Sequence, residues 1–167
     1  MVQVYSPDVL ISQARRLAAD YRRSLGKPLP GVGAEIALHD AIRLLGLEPR
    51  QADAPGGYDA IDPARDGLRI QIKSRVIFDD NKGGQRIGQL ALDKAWDSVV
   101  LVLMDADYEP FEIYEAERED ILDYVGRSSP SRSKRGALSV ARFKIIGRLV
   151  WSREDGLDPE VWDNQAS

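Results

Sequence analysis

A run of seven residues limits the possible folds of this chain more than any other feature. Residues 98–104 have the sequence Ser-Val-Val-Leu-Val-Leu-Met, with a single polar side chain. A short apolar run that is rich in β-branched residues is typical of a strand buried on both faces. Such a strand lies inside a sheet that has helices on both sides. The run therefore predicts an α/β domain with a mixed β-sheet flanked by helices.

Helix and strand patterns on either side of this run agree with that architecture. Ser6-Pro7-Asp8 is typical of a helix start, because Ser caps the first turn and Pro is favoured at its first position. Two strands, Tyr58–Asp62 and Leu68–Ile77, are predicted to form a hairpin around a Pro- and Gly-containing turn. We also expect, in chain order, a helix from about Gly33 to Leu45, a short helix over Ile87–Trp96, a strand over Phe111–Tyr114, a helix over Glu117–Val125 and a final helix carrying Val140, Phe143, Ile146 and Val150.

The length and apolar pattern predict one domain outside the membrane. The chain has 167 residues, which suits a single core. We expect that core at residues 31–115, followed by a basic region at 127–153 and a loose tail at 154–167. No apolar stretch approaches the roughly 20 residues of a membrane span, and the first residues lack a secretory pattern. These features favour a cytoplasmic protein without membrane contact.

The composition also restricts any metal site. Cysteine is absent, and His39 is the one histidine. Disulfides, cysteine nucleophiles and zinc sites built on thiolates or several histidines are therefore excluded. A metal would need carboxylate, amide and backbone oxygens, which Mg²⁺, Mn²⁺ and Ca²⁺ prefer.

Charge is distributed unevenly, although the net charge is only −4. Residues 105–123 are rich in Asp and Glu, whereas the segment from Arg127 to Arg153 has basic residues and no acidic ones. A basic segment of this kind can contact the phosphates of a nucleic acid or form a solvated surface, and the sequence leaves both open. The candidate nucleic-acid-binding residues are Arg69, Arg75, Arg132, Lys134, Arg135 and Arg142.

The predicted hairpin brings oxygen ligands and a cation together. Its second strand alternates apolar and polar residues, so Arg69, Gln71 and Lys73 share one face. Asp59 lies on the first strand. A carboxylate, an amide and a lysine side by side can form an oxygen-ligand metal site with a cation beside it, which suggests metal-assisted cleavage of phosphodiesters.

These residues resemble the motif of the PD-(D/E)XK nuclease superfamily, which has a restriction-endonuclease-like three-layer core. The family pattern is an acid on an early helix, an Asp on a strand and Glu-x-Lys or Gln-x-Lys on the next strand. Glu35, Asp59 and Gln71-Ile72-Lys73 match this order, and the resemblance covers roughly residues 31–114. The departures are the neutral Gln71 in place of an acid and Tyr58 in place of Pro.

The resemblance implies a Mg²⁺-dependent or Mn²⁺-dependent endonuclease that hydrolyses DNA in restriction, repair or phage defence. Asp59 would be the main anionic ligand, with the Gln71 amide oxygen and the Ile72 backbone carbonyl as further ligands. Glu35 would bind the metal through water or hold the attacking water. Lys73 would lower the pKa of that water and stabilise the transition state.

Other interpretations of these residues stay open. Asp59 is also typical of a turn near Gly, and Gln71 with Lys73 is also typical of a solvated sheet face. Glu35 also suits the first turn of a helix, where the helix dipole favours an acid. The alternative function is an inactive nuclease-like module that binds a nucleic acid or a protein partner. The acidic stretch at 105–123 is compatible with a protein partner, and the sequence leaves a homodimer open.

Overall fold

The computed structural model describes residues 5–78, 85–88, 90–127 and 138–158. Three candidate nucleic-acid-binding residues, Arg132, Lys134 and Arg135, lie outside these ranges. The described residues form four α-helices, seven strands and a 3-10 turn at Pro63–Arg65. The helices are α1 (Pro7–Leu25), α2 (Val32–Leu45), α3 (Arg118–Arg127) and α4 (Val140–Ile146). The strands are β1 (Glu48–Pro49), β2 (Ala60–Asp62), β3 (Leu68–Val76), β4 (Ser98–Met104), β5 (Pro110–Glu117), β6 (Arg148–Ser152) and β7 (Gly156–Leu157).

The seven strands form one mixed sheet whose spatial order follows the chain. Every neighbouring pair is antiparallel except β3 and β4, which are parallel. A parallel pair requires a long crossover, here the segment between Val76 and Ser98. All seven residues of β4 are buried, which confirms the strand predicted from the apolar run.

Apolar side chains cover both faces of the sheet. On one face α1 and α2 pack against β3, β4 and β5, with Ile36, Val100 and Ile113 fully buried. On the other face α3 and α4 pack against β4 and β5, with Leu101 and Phe143 fully buried. The architecture is therefore a mixed α/β sheet between helices, as predicted. No helix in the described part of the chain is long and apolar enough to cross a bilayer.

Local signals fix the helix ends. The Ser6 side chain accepts a hydrogen bond from Val9 N, and Ser139 accepts one from Arg142 N. Gly26 ends α1 in the left-handed region (φ 71°) and donates its N–H to Arg22 O. These are the caps that Ser and Gly favour at helix starts and ends.

The structure corrects the prediction of a short helix over residues 87–96. Its described residues form turns, with backbone bonds from Leu92 N to Leu90 O and from Lys94 N to Ala91 O. The first and last residues of this segment contact other parts of the chain. Ile87 N donates to Leu138 O, and the Trp96 ring is buried against β4. The apolar residues of this segment have the spacing of a helix, but Ile87 and Trp96 make separate tertiary contacts and no helix forms.

The C-terminal prediction was also partly wrong. The last helix ends at Ile146, and Val150 belongs to β6, which pairs with β5. Gly147 N donates to Phe143 O and closes the helix, and its Cβ position lies only 2.7 Å from Glu115 O, so the chain must turn there without a side chain. Within the predicted loose tail, Gly156–Leu157 pairs with β6, while residues 159–167 lie outside the described ranges.

Candidate metal-binding site

The β2–β3 hairpin sets the positions of the candidate site residues. Its register runs from the Asp62–Leu68 pair to the Ala60–Ile70 pair, and Asp59, the residue before β2, donates its N–H to Ile70 O. The turn is held by Asp62, whose side chain accepts from Ala64 N. The hairpin is as predicted, but its first strand begins at Ala60 and not at Tyr58, so Asp59 precedes the strand instead of lying on it.

Asp59 directly precedes β2, beside the part of β3 after Ile70 that has no β2 partner. Its Oδ2 accepts a hydrogen bond from Ile72 N at 2.7 Å, and its own N donates to Ile70 O at 2.8 Å. The N–H and C=O of one strand residue point to the same side. The Ile72 carbonyl therefore points to the same edge as the Asp59 carboxylate, which suits both as neighbouring oxygen ligands.

The Gln71 side chain has one satisfied end and one unsatisfied end. It is only 7% exposed, and its Nε2 donates to Gly57 O at 3.0 Å. Its Oε1 is buried without a hydrogen-bond partner among the described residues. An unsatisfied buried acceptor costs free energy and is uncommon in folded proteins. A cation or an ordered water would satisfy it, so the donor set fits an oxygen-ligand metal.

Lys73 lies on the same face as Gln71, two residues along β3. These residues pair in parallel register with Val99 and Leu101, which belong to the core under α3 and α4. Lys73 is half-buried, and this burial lowers the pKa of its amine, although attraction to Asp59 acts in the opposite direction. The ammonium group and the Asp59 carboxylate are thus close enough to interact.

Glu35 does not contact these residues. It lies exposed in the first turn of α2, on a helix that packs on the other face of the sheet, and it makes no hydrogen bond or ion pair with Asp59, Gln71 or Lys73. His39, one turn later, has its Nε2 3.1 Å from Asp8 Oδ1 of α1.

The direction of α2 nevertheless brings Glu35 near the level of the site. The helix begins beside Tyr108, just after β4, and its end at Leu45 lines a cavity with Arg65, just before β3. Glu35 is about 15 Å along the helix axis from Leu45 at 1.5 Å per residue. At about 3.3 Å per residue, this distance reaches from the start of β3 to about Ile72. On this estimate Glu35 lies level with the site, but on the opposite face of the sheet from Gln71 and Lys73.

The described candidate nucleic-acid-binding residues already have protein partners. Arg69 forms an ion pair with Asp97, with Nε 3.1 Å from Oδ2. Arg75 donates to Arg86 O and to Ser74 O. Arg142 is exposed at the start of α4, and its guanidinium lies 5.2 Å from the centre of the Tyr124 ring. Arg142 therefore retains the most solvent access of the three.

The sequence did not indicate the contacts around Gly57. A Cβ at this residue would lie 2.5 Å from Lys94 Cβ, and its φ of +111° is also unfavourable for other residues. The Gly56-Gly57 pair signalled a turn, but only the packing of Lys94 shows why glycine is needed there.

No group of three His, Cys, Asp or Glu side chains is arranged to hold a metal within residues 5–78, 85–88, 90–127 and 138–158. The predicted ligand set contains only the carboxylates of Asp59 and Glu35, and its other oxygens come from an amide and the backbone. Comparison with protein-family models gives no match to this chain, and comparison with curated proteins gives none either.

Proposed function

We propose that this chain is a Mg²⁺-dependent endonuclease that hydrolyses DNA phosphodiester bonds on a restriction-endonuclease-like core. The observation that carries the proposal is the Gln71 Oε1, which is buried without a partner among the described residues and belongs to a side chain bonded to Gly57, two residues before Asp59. A structural glutamine on a sheet face would satisfy both ends of its amide. Here one end has no partner among the described residues and is open to a ligand.

The order of elements supports the three-layer core. A helix with Glu35 precedes the hairpin with Asp59 and Gln71-x-Lys73, and the fully buried β4 follows in parallel with β3. This is the order that the PD-(D/E)XK resemblance implies. Helices on both sides of the sheet agree with it.

Each site residue has a defined part in the proposed reaction. Asp59, Gln71 and the Ile72 carbonyl would hold Mg²⁺, which neutralises phosphate charge and makes bound water more acidic. Glu35 would orient the attacking water. That water's oxygen forms a bond to phosphorus as the bond to the leaving oxygen breaks. Lys73 stabilises the negative charge that develops on the phosphate.

Cleavage of supercoiled plasmid DNA in Mg²⁺ or Mn²⁺ tests this proposal. Asp59→Asn and Lys73→Met should each slow cleavage by at least about 100-fold, since each removes a charge at the reacting phosphate. Asp53→Asn and Lys27→Met make the same chemical changes at exposed loop residues and should leave cleavage unchanged. Cleavage that survives both site substitutions would rule the assignment out.

The second candidate is a nuclease-like module that binds nucleic acid without cutting it. The neutral Gln71 favours this function, because it leaves the site with one negative charge fewer than Glu would. Salt-dependent DNA binding without metal-dependent cleavage would select it. In that case Asp59→Asn would leave DNA binding intact, whereas Arg142→Met would weaken it.

A further inference from the structure

The Gln71 amide joins two parts of the hairpin that are otherwise far apart in the chain. Its Nε2 donates to Gly57 O at 3.0 Å, across fourteen positions of sequence. Because Gly57 is two residues before Asp59, this bond holds the end of the loop that carries the carboxylate. It also fixes which way the amide points: turning it over would set Oε1 against Gly57 O, two acceptors in contact.

The other side of Gly57 is held by packing. The Lys94 side chain and the backbone of Ala95 occupy the space where a Cβ would lie. The loop from Gln51 to Ala54 has its own bonds, from Ala54 N to Gln51 O and from Arg50 to Ala54 O. In the second half of the loop, Asp59 has its own bonds to Ile70, Ile72 and Arg50, and the Gln71 amide supplies the side-chain bond that ties Gly57 to the sheet.

We propose that Gln71 is a positioning residue for Asp59: its amide N–H holds Gly57, and this bond directs its Oε1 towards the site. The two ends of the Gln71 amide then have different parts: Nε2 donates to Gly57 O, and Oε1 remains as an acceptor. A glutamate has two acceptor oxygens, so its buried carboxylate would face the Gly57 carbonyl with no proton between them. The role of the Oε1 end as a metal ligand rests on the proposed function, whereas the Gly57 end stands independently of it.

Amide hydrogen exchange of the metal-free protein tests the Gly57 end. The Asp59 N–H, bonded to Ile70 O, reports directly on the loop end. Gln71→Glu and Gln71→Met should each accelerate its exchange by on the order of tenfold, the effect of losing one hydrogen bond. The buried Val102 amide in β4 should exchange at the wild-type rate, which separates a local effect from general destabilisation.

Gln85 offers a matched control. Its Nε2 also donates to a backbone carbonyl, Val76 O at 3.4 Å, but the residue is exposed. Gln85→Glu and Gln85→Met should leave Asp59 exchange unchanged. Unchanged Asp59 exchange in Gln71→Met as well as in Gln71→Glu would overturn the positioning role.

A Mn²⁺ titration tests the Oε1 end. If Gln71 were only a metal ligand, the Gln71→Glu variant would bind Mn²⁺ more tightly, because the site gains a negative charge. If the Gln71 N–H holds Gly57, Gln71→Glu should bind Mn²⁺ equally well or more weakly, because the added carboxylate displaces the loop that carries Asp59. Tighter binding would overturn the proposal. A wild-type protein that binds no Mn²⁺ while Gln71→Met still accelerates Asp59 exchange would refute the nuclease assignment and leave the positioning role supported.

Discussion

Removal of the Arg65 guanidinium should destabilise the fold more than any other single charge substitution near the site. Arg65 donates to both oxygens of Glu115, at 3.0 and 2.9 Å, and to Asp62 Oδ2 at 2.6 Å. The side chains of Asp62 and Glu115 are only 4% and 5% exposed. Ser98 Oγ donates to Glu115 Oε2 at 2.8 Å. This network attaches the β2–β3 turn to β5.

The size of the effect follows from burial. Arg65→Met would leave two buried carboxylates without their cation, and breaking a buried ion pair in this way costs about 3–5 kcal/mol. Arg69 provides a matched control, because its pair with Asp97 is 42% and 37% exposed. An exposed pair contributes less than about 1 kcal/mol. The difference between the two arginine variants should therefore be at least about 2 kcal/mol.

Urea unfolding at neutral pH, followed by circular dichroism, measures this difference. Arg65→Met should lower the free energy of unfolding by about 3–5 kcal/mol, whereas Arg69→Met should lower it by less than about 1 kcal/mol. The double variant Arg65→Met/Glu115→Gln should recover part of the loss, because it removes one of the two buried carboxylate charges that Arg65→Met leaves unpaired. Equal losses in the two single variants would refute the reasoning that burial makes the Arg65 network costly to break.

Two further variants test the loop and the exposed ion pair. Gly57→Ala should cost about 1–3 kcal/mol in urea unfolding, from the clash with Lys94 and the positive φ, while Gly56→Ala, with open space around it, should stay within about 1 kcal/mol of wild type; equal costs would contradict the clash. The Arg69 hydrogen bond lowers the pKa of Asp97, so its stabilisation is present above the unfolded pKa of about 3.9 and is lost as pH falls through the lower folded value. The small stability deficit of Asp97→Asn at pH 6 should therefore shrink below pH 4, and a deficit that stays constant would contradict this linkage.

The parts of the fold that the sequence predicted are those with strong local signals. Ser98–Met104 has a short, β-branched apolar pattern that is typical of a buried strand, and the structure has β4 at those residues. The alternation from Leu68 onwards and the Pro-Gly turn before it specify the β2–β3 hairpin and its register. The alternation also places Gln71 and Lys73 on one face, but Asp59 lies before β2, and its bonds to Ile70 O and Ile72 N fix its position.

Tertiary contacts explain the errors. Residues 87–96 have apolar spacing close to that of a helix, but Ile87 packs beside Leu138 while Trp96 packs under β4. Val150 continues the apolar spacing of α4, yet Gly147 ends that helix against Glu115 O and Val150 enters β6. In both cases distant residues, and not the local period, decide the backbone conformation.

The side-chain partners could not be predicted, and they decide how the site would hold a metal. Alternation along β3 gives Arg69, Gln71 and Lys73 the same face, but not the ion pair of Arg69 with Asp97 or the bond of Gln71 to Gly57. Arg69 is paired with Asp97, whereas Lys73 is attracted to Asp59. One carboxylate beside one lysine attracts Mg²⁺ weakly, and Glu35, on the opposite face of the sheet, makes no bond to Asp59. Under the proposed function Glu35 would act through water, so Glu35→Gln should weaken Mn²⁺ binding less than Asp59→Asn does; an equal loss in the two variants would show that Glu35 binds the metal directly.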